Sequence, residues 1–290
     1  MASTQQLKSR ITSVKNTRQI TKAMELVSAS KMRRAQEYAV RSRAFRNLAR
    51  HILKRLNEVT DLSAHPLYRV RPVKRRLFLV ITSDRGLAGA YNSNVLRRFT
   101  AGLKKDQEAG VKSSVILVGR KGVGVVSRVQ GLEVIAAYDH FPEQPTANDI
   151  RPIMDTIIEQ YKNERVDAVD VIYTDYISSV SQEVKVDSLL PAVFRQQTSD
   201  AAREPEEVII EPSPEVVLEQ VTERLIEAQL TQDFLEAQAS EQSMRMMAMK
   251  NATDNANELV DDLTLEFNTA RQAAITQELA EITGGAEAIK

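Results

Sequence analysis

The residues of this chain that could do chemistry fall in its middle. Ser83-Asp-Arg-Gly-Leu-Ala-Gly89 follows an apolar run, Leu77–Thr82, and precedes a helical pattern, which is where a phosphate loop sits in a doubly wound sheet. It lacks the Gly-Lys-Ser/Thr that grips phosphate and magnesium. A second loop, Gly122-Val-Gly-Val-Val-Ser127, has Ser127 where the dinucleotide fingerprint has its third glycine, and it follows the second strand-like run rather than the first. Tight turns account for both loops. Asp84, Asp139 and Asp175 each follow a strand-like run and could act as acid or base, but carboxylates there also cap helices and shape turns. His51, His65 and His140 share no metal-ligand spacing, and His51 belongs on a helix surface. With no cysteine in 290 residues, disulfides, thiolate metal sites and thiol switches are excluded. By residue type, then, the chain offers no catalytic set, no cofactor loop and no metal site.

The elements that hold these loops are predicted by pattern. Strand-like runs at Leu77–Thr82, Val115–Val118, Glu133–Tyr138 and Ala168–Tyr173 alternate with helical patterns near Asn92–Lys105, Lys121–Val129 and Ile150–Asn163. An alternating stretch, Gln182–Leu189, follows before Pro191. Strand alternating with helix predicts a mostly parallel sheet with helices on its faces, a Rossmann-like α/β domain over residues 76–195. Eight of the ten glycines lie between Gly86 and Gly131, as the turns of such a fold require. Gln196–Glu207 is a polar linker.

On either side the pattern changes to long helices, with neither glycine nor proline in Met1–Ala64 or in Glu215–Thr283. From Leu218 to Ala274 the chain places Leu218, Val221, Leu225, Ala228, Gln232, Leu235, Ala239, Gln242, Met246, Met249, Thr253, Ala256, Val260, Leu263, Phe267, Ala270 and Ala274 three and four apart. A period of about 3.5 residues specifies a left-handed coiled coil. At about 1.5 Å per residue the helix is on the order of 100 Å long, so part of it must project from any domain of this size. Ser213 reads as its N-cap, Pro214 as its first residue, and Gly284-Gly285 as its stop. At the other end, Ser3-Thr-Gln-Gln6 reads as a capping box. Leu7, Ile11 and Val14, and later Ala35, Tyr38, Ser42, Phe45, Ala49, Ile52, Leu56 and Val59, mark a second seam that His65-Pro66 closes. Between them Ile20, Met24, Leu26, Val27 and Met32 place apolar residues all round the helix, the pattern of an element touching more than one partner. The expected fold is therefore α/β: an antiparallel coiled coil of an N-terminal helix (1–65) and a longer C-terminal helix (212–286), closed by the sheet domain. The last turns of the longer helix would stand alone.

Charge supports that pairing. The chain is neutral overall, yet Met1–Arg76 has nineteen Lys and Arg against four Asp and Glu, and Glu204–Lys290 has five against nineteen. Each exposed ion pair contributes only about 0.3–0.5 kcal/mol, so charge selects the partner more than it stabilises it. The basic helix could grip nucleic acid, but aromatics for stacking are sparse and an acidic mate covers one face. No apolar run is long enough to span a bilayer, and the N-terminus lacks the apolar core of a signal peptide, which points to a cytoplasm-like compartment.

Four stretches are specific enough to carry a resemblance. They are Ile20-Thr-Lys-Ala-Met-Glu-Leu-Val-Ser-Ala-Ser-Lys-Met32, Thr82-Ser-Asp-Arg-Gly-Leu-Ala-Gly89, Ser243-Met-Arg-Met-Met-Ala-Met-Lys-Asn-Ala-Thr-Asp-Asn-Ala256 and Asn268-Thr-Ala-Arg-Gln-Ala-Ala-Ile-Thr-Gln-Glu-Leu279. Through them nearly the whole chain resembles the gamma subunit family of bacterial-type ATP synthases. The resemblance implies a non-catalytic rotor shaft that carries torque between a membrane ring of c subunits and a head of three alpha and three beta subunits, with the sheet domain at the foot beside epsilon. It implies head contacts at Lys22, Met24, Arg33, Arg34, Arg245, Arg271, Gln272 and Thr276. It further implies peripheral attachment at the cytoplasmic face of a bacterial membrane, with membrane contact only through the complex, and no cofactor. The cysteine-bearing insert of chloroplast members is absent. Two other readings stand beside it: an enzyme with a coiled-coil arm, and a coiled-coil tether or adaptor that could bind nucleic acid.

Overall fold

The continuous apolar runs Leu77–Ile81 and Val115–Val118 become strand segments buried on both faces. A computed structural model of the chain describes residues 4–59, 65–143, 145–192, 211 and 213–288, excluding the side chains of 43–47, 49–51, 54–59, 214 and 285–288. Strands β1 (Arg75–Ile81), β2 (Lys112–Val118), β3 (Glu133–Tyr138), β4 (Ala168–Tyr176) and β5 (Gln182–Leu190) form one sheet in the order β3-β2-β1-β4-β5. The first four are parallel and β5 pairs antiparallel to β4. Crossovers are made by α2 (Tyr91–Glu108), α3 (Arg120–Val126) and α4 (Ala147–Lys162). Strands covered on both faces need apolar residues at every position, which is why β1 and β2 read as continuous runs instead of alternating ones.

One face of the sheet packs Leu77, Leu79, Ile81, Val169 and Val171 against Ile150, Ile153 and Ile157 of α4. The same core takes in Ile226, Leu230, Phe234 and Ala237 of the C-terminal helix α5 (Pro214–Ala288). The opposite face sets Phe78, Val80, Val115, Leu117 and Ile172 against Val95 and Phe99 of α2 and Val126 of α3. These elements belong to a unit spanning Ser30–Met244. The N-terminal helix α1 (Thr4–Val59) contributes Leu53 to it, packed with Tyr68 and Leu218. Arg76 ties three elements together through Asp106 at 3.1 Å and through Asp170.

The other unit joins Met1–Ala29 and Arg245–Lys290. Its core is a thin stripe. Leu7, Thr21 and Ser28 are buried on α1, and Met249, Thr253, Ala256, Val260 and Leu263 on α5, spaced by four and three. Arg18 Nη1 donates to Asn257 Oδ1 at 3.2 Å, and Thr253 Oγ1 to Thr21 Oγ1 at 2.8 Å. Numbers fall on one helix as they rise on the other, so the pair is antiparallel.

Three details differ from the sequence pattern. Tyr38 and Ile52, expected in the seam, are 38% and 37% exposed, while their neighbours Ala39 and Leu53 are buried. A helix turns every 3.6 residues rather than 3.5, so a seam not held by strict supercoiling drifts by one position. Gly284-Gly285 does not stop α5, which continues to Ala288. Glycine costs about 1 kcal/mol in a helix and does not by itself end one, and Ala286 and Ala288 favour continuation. At the start of α5, Ser213 caps as expected, accepting from Val216 N at 3.4 Å. The capping serine Ser3, the linker Gln196–Glu207, and the side chains of Phe45, Ala49, His51, Leu56 and Val59 lie outside the described residues.

Candidate partner-binding surfaces

The loops at the carboxyl ends of the strands spend their polar groups on each other. Thr82 Oγ1 lies 2.8 Å from Val118 O and accepts from Gly122 N at 3.0 Å. Ser83 N donates to Asn92 Oδ1 at 2.9 Å, and Lys121 N to Ser83 O at 3.0 Å. Gly119 sits at φ +91, and a Cβ there would come within 2.1 Å of Thr82 O. This glycine is required by the close approach of the two turns. A sheet of this order binds nucleotides in the crevice at its strand ends. Here that space holds Phe141 stacked on Phe234 of α5, ring centroids 4.4 Å apart. Beside the ends of β1 and β2 remains a cavity of about 50 Å³, against about 300–1,000 Å³ for ligand pockets.

The remaining candidates for acid–base chemistry are separated and separately engaged. Asp84 accepts from Arg120 N at 3.2 Å at the start of α3. Asp175 is ion-paired with Lys185 across the β4–β5 pair. Asp139 lies on the surface beside His140. His65 caps a 3-10 turn, accepting from Leu67 N at 3.3 Å, and burial is the first cause lowering its pKa. Burial, with added repulsion from Asp233, Asp187 and Glu236, pushes the Tyr173 phenol far up. It stays protonated and donates to Asp187 at 3.0 Å. Among the described residues no group of carboxylates or histidines is placed to hold a metal ion. None of their helices is long and apolar enough to cross a membrane.

The residues expected to meet partners lie mainly on helix surfaces. In the two-helix unit Lys22 is exposed and paired with Glu25 at 3.0 Å, and Met24 is half-buried. Arg271, Gln272 and Thr276 are exposed, with Thr276 Oγ1 donating to Gln272 O at 2.9 Å. In the sheet-containing unit Arg33 and Arg34 are both exposed. Arg245 differs: it is 7% exposed, its side chain engaged within this chain. An exposed apolar set accompanies these residues, with Ile20 and Leu26 on α1 and Leu265, Leu279 and Ile282 on α5. The sequence signals the α1 members, since their helix is apolar all round. The α5 members lie off the heptad seam.

Comparison with known proteins places this architecture. The family model described as ATP synthase matches residues 3–289. An ATP synthase gamma chain of Acidithiobacillus ferrooxidans is 40% identical over 289 residues, covering all of both chains. This chain belongs to the ATP synthase gamma-chain family. A gamma chain of Legionella pneumophila is 37% identical, again over the full length of both. Among solved structures, the central stalk and c-ring assembly of the Tetrahymena thermophila mitochondrial ATP synthase contains a chain matching at TM-score 0.60 and 25% identity. The match covers 80% of this chain and 99% of that one. A chain of the Euglena gracilis mitochondrial ATP synthase matches at TM-score 0.68 over 99% of this chain and 94% of that one; at 20% identity it speaks to the fold. A family member of this length is a subunit of an enzyme complex.

Proposed function

We propose that this chain is the central rotor shaft of a proton-translocating ATP synthase. It carries torque between a membrane ring of c subunits and a catalytic head of three alpha and three beta subunits, and its sheet domain sits at the foot beside epsilon. The observation that carries this reading is full-length kinship with gamma chains together with an antiparallel helix pair whose buried stripe is thin. A helix pair that spends so little of its surface on itself keeps the rest for partners. Ligand-driven machines work through contacts that differ between states, and an asymmetric rod supplies such contacts in turn to each catalytic subunit.

The chain contributes no chemistry of its own in this reading. Support comes from the filled crevice at the strand ends and from loops whose polar groups bond one another. It acts as a peripheral subunit at the cytoplasmic face of a bacterial membrane. Head contacts come from Lys22 and Met24, from Arg33 and Arg34, and from Arg271, Gln272 and Thr276. Arg33 and Arg34 would face an acidic loop at the base of beta. Arg245 completes the set; it is 7% exposed in the chain by itself.

Reconstitution tests the reading. Alpha and beta subunits mixed with this chain should form a complex containing one copy of it, with ATP hydrolysis well above that of the mixture without it. Arg271→Ala with Gln272→Ala should lower turnover or assembly; if both are intact, the assignment of those two residues fails.

A further inference from the structure

If torque passes through this chain, it passes between the sheet and α5, and most of that joint is not covalent. The sheet core holds α5 along one side through Ile226, Leu230, Phe234 and Ala237. Apolar packing along one side of a cylinder resists separation well and resists rolling poorly. Two turns of the sheet domain add contacts of another kind. The turn after β3 lays Phe141 flat on Phe234, with ring planes 20° apart. The β4–β5 turn reaches Ser243, whose Oγ donates to Ser179 O at 2.8 Å and accepts from Gln182 Nε2 at 3.2 Å. That turn is itself braced. Ser178 N donates to Ser181 O at 2.9 Å, Ser181 N to Ser178 Oγ at 3.1 Å, and Gln182 Nε2 to Ser178 O at 2.9 Å.

The positions of these two contacts on the helix matter. At 100° per residue, the nine residues from Phe234 to Ser243 amount to two and a half turns, so the side chains leave α5 on opposite sides, about 13 Å apart along its axis. A helix gripped at two separated points on opposite sides cannot roll or tilt without breaking one grip. Burial agrees: from Leu225 to Met244 no residue of α5 is exposed, and Ser243 is fully buried.

We propose that the turns following β3 and β4 form a collar around α5. Phe141, Gln182 and Ser243 are then positioning residues that fix the rotational setting of the helix against the sheet and pass torque between them. This rests on the rotor reading for its purpose, but its mechanical content can be tested separately.

The test uses the full complex with alpha and beta subunits. The chain has no native cysteine, so Lys104→Cys, at a side chain 79% exposed on α2, labelled before assembly, gives this chain a single attachment point for a bead. With the head immobilised and nucleotide-free, the angular variance of the bead reads torsional compliance. Because a packed interior transmits strain through its remaining contacts, losing one grip of two should raise the variance about twofold. That rise is expected in Phe141→Ala and, independently, in Gln182→Ala with Ser243→Ala. Phe141→Tyr, which keeps the stacked ring, should match the parent. A merely structural role would lower the thermal midpoint of the chain without changing the variance of complexes that remain assembled. Unchanged variance in both altered grips overturns the collar, as does a rise in Phe141→Tyr equal to that in Phe141→Ala. A parent complex that never steps with ATP would contradict the rotor reading, while the arrested variance would still decide the collar.

Discussion

Two stretches of α5 use similar residues to opposite ends. Leu225–Met244 shows no exposed residue, although it contains Gln232, Asp233, Glu236 and Ser240, all buried. Arg245–Gly284 buries Arg245, Met249, Thr253, Ala256, Val260 and Leu263, and nothing after Leu263. The first stretch is a core element that happens to be polar in places. The second is one half of a narrow seam, and past Leu263 a surface. Stability is therefore concentrated in the first stretch, while the second keeps its surface for whatever surrounds it.

The sharpest way to break this contrast is to truncate one leucine in each stretch. Leu230, fully buried in the sheet core, should cost about 2–5 kcal/mol as Leu230→Ala. Leu279, 59% exposed, should stay within about 0.5 kcal/mol as Leu279→Ala. Denaturant unfolding of the purified chain measures both, and equal losses would contradict the division. A second test addresses the seam. Ala256 is 8% exposed in a close helix pair, and Ala256→Leu should destabilise by about 1–3 kcal/mol through overpacking. A neutral result would mean that the helices are not in close contact there.

Smaller effects refine the picture. Thr253→Val removes the hydroxyl 2.8 Å from Thr21 Oγ1 and should cost at most about 1 kcal/mol, because Thr21 Oγ1 loses one of two partners and keeps its bond to Arg18 O at 3.0 Å. Adding Thr21→Val should recover most of that loss, and a double-mutant cycle reads the coupling. Finally, a Cβ on Gly284 would meet nothing within 4 Å. Gly284→Ala should then stabilise the end of α5 by about 1 kcal/mol, seen as slower amide exchange over the last turns. Faster exchange would mean that the glycine is needed as a helix stop after all.

Much of this was legible in the sequence because it rests on periodicity. Strands buried on two faces leave continuous apolar runs, and Leu77–Ile81 and Val115–Val118 locate β1 and β2. The heptad spacing of Met249, Thr253, Ala256, Val260 and Leu263 matches the buried stripe position by position. What escaped was set by geometry between distant segments. Nothing near Phe141 in the chain announces Phe234, and the β4–β5 turn carries no sign that it meets Ser243. The exchange of Tyr38 for Ala39 and of Ile52 for Leu53 depends on the phase of a helix, which spacing fixes only to within one residue. The candidate head contacts came from motif resemblance, and burial then set Arg245 apart from the exposed members of that set.

The measurement that bears most directly on the rotor reading is rotation itself. With the alpha/beta head immobilised and a bead on Lys104→Cys, ATP should drive unidirectional stepping of the bead, repeating with the threefold symmetry of the head. A stoichiometric, ATP-hydrolysing complex in which the bead stays fixed relative to the head would contradict the account.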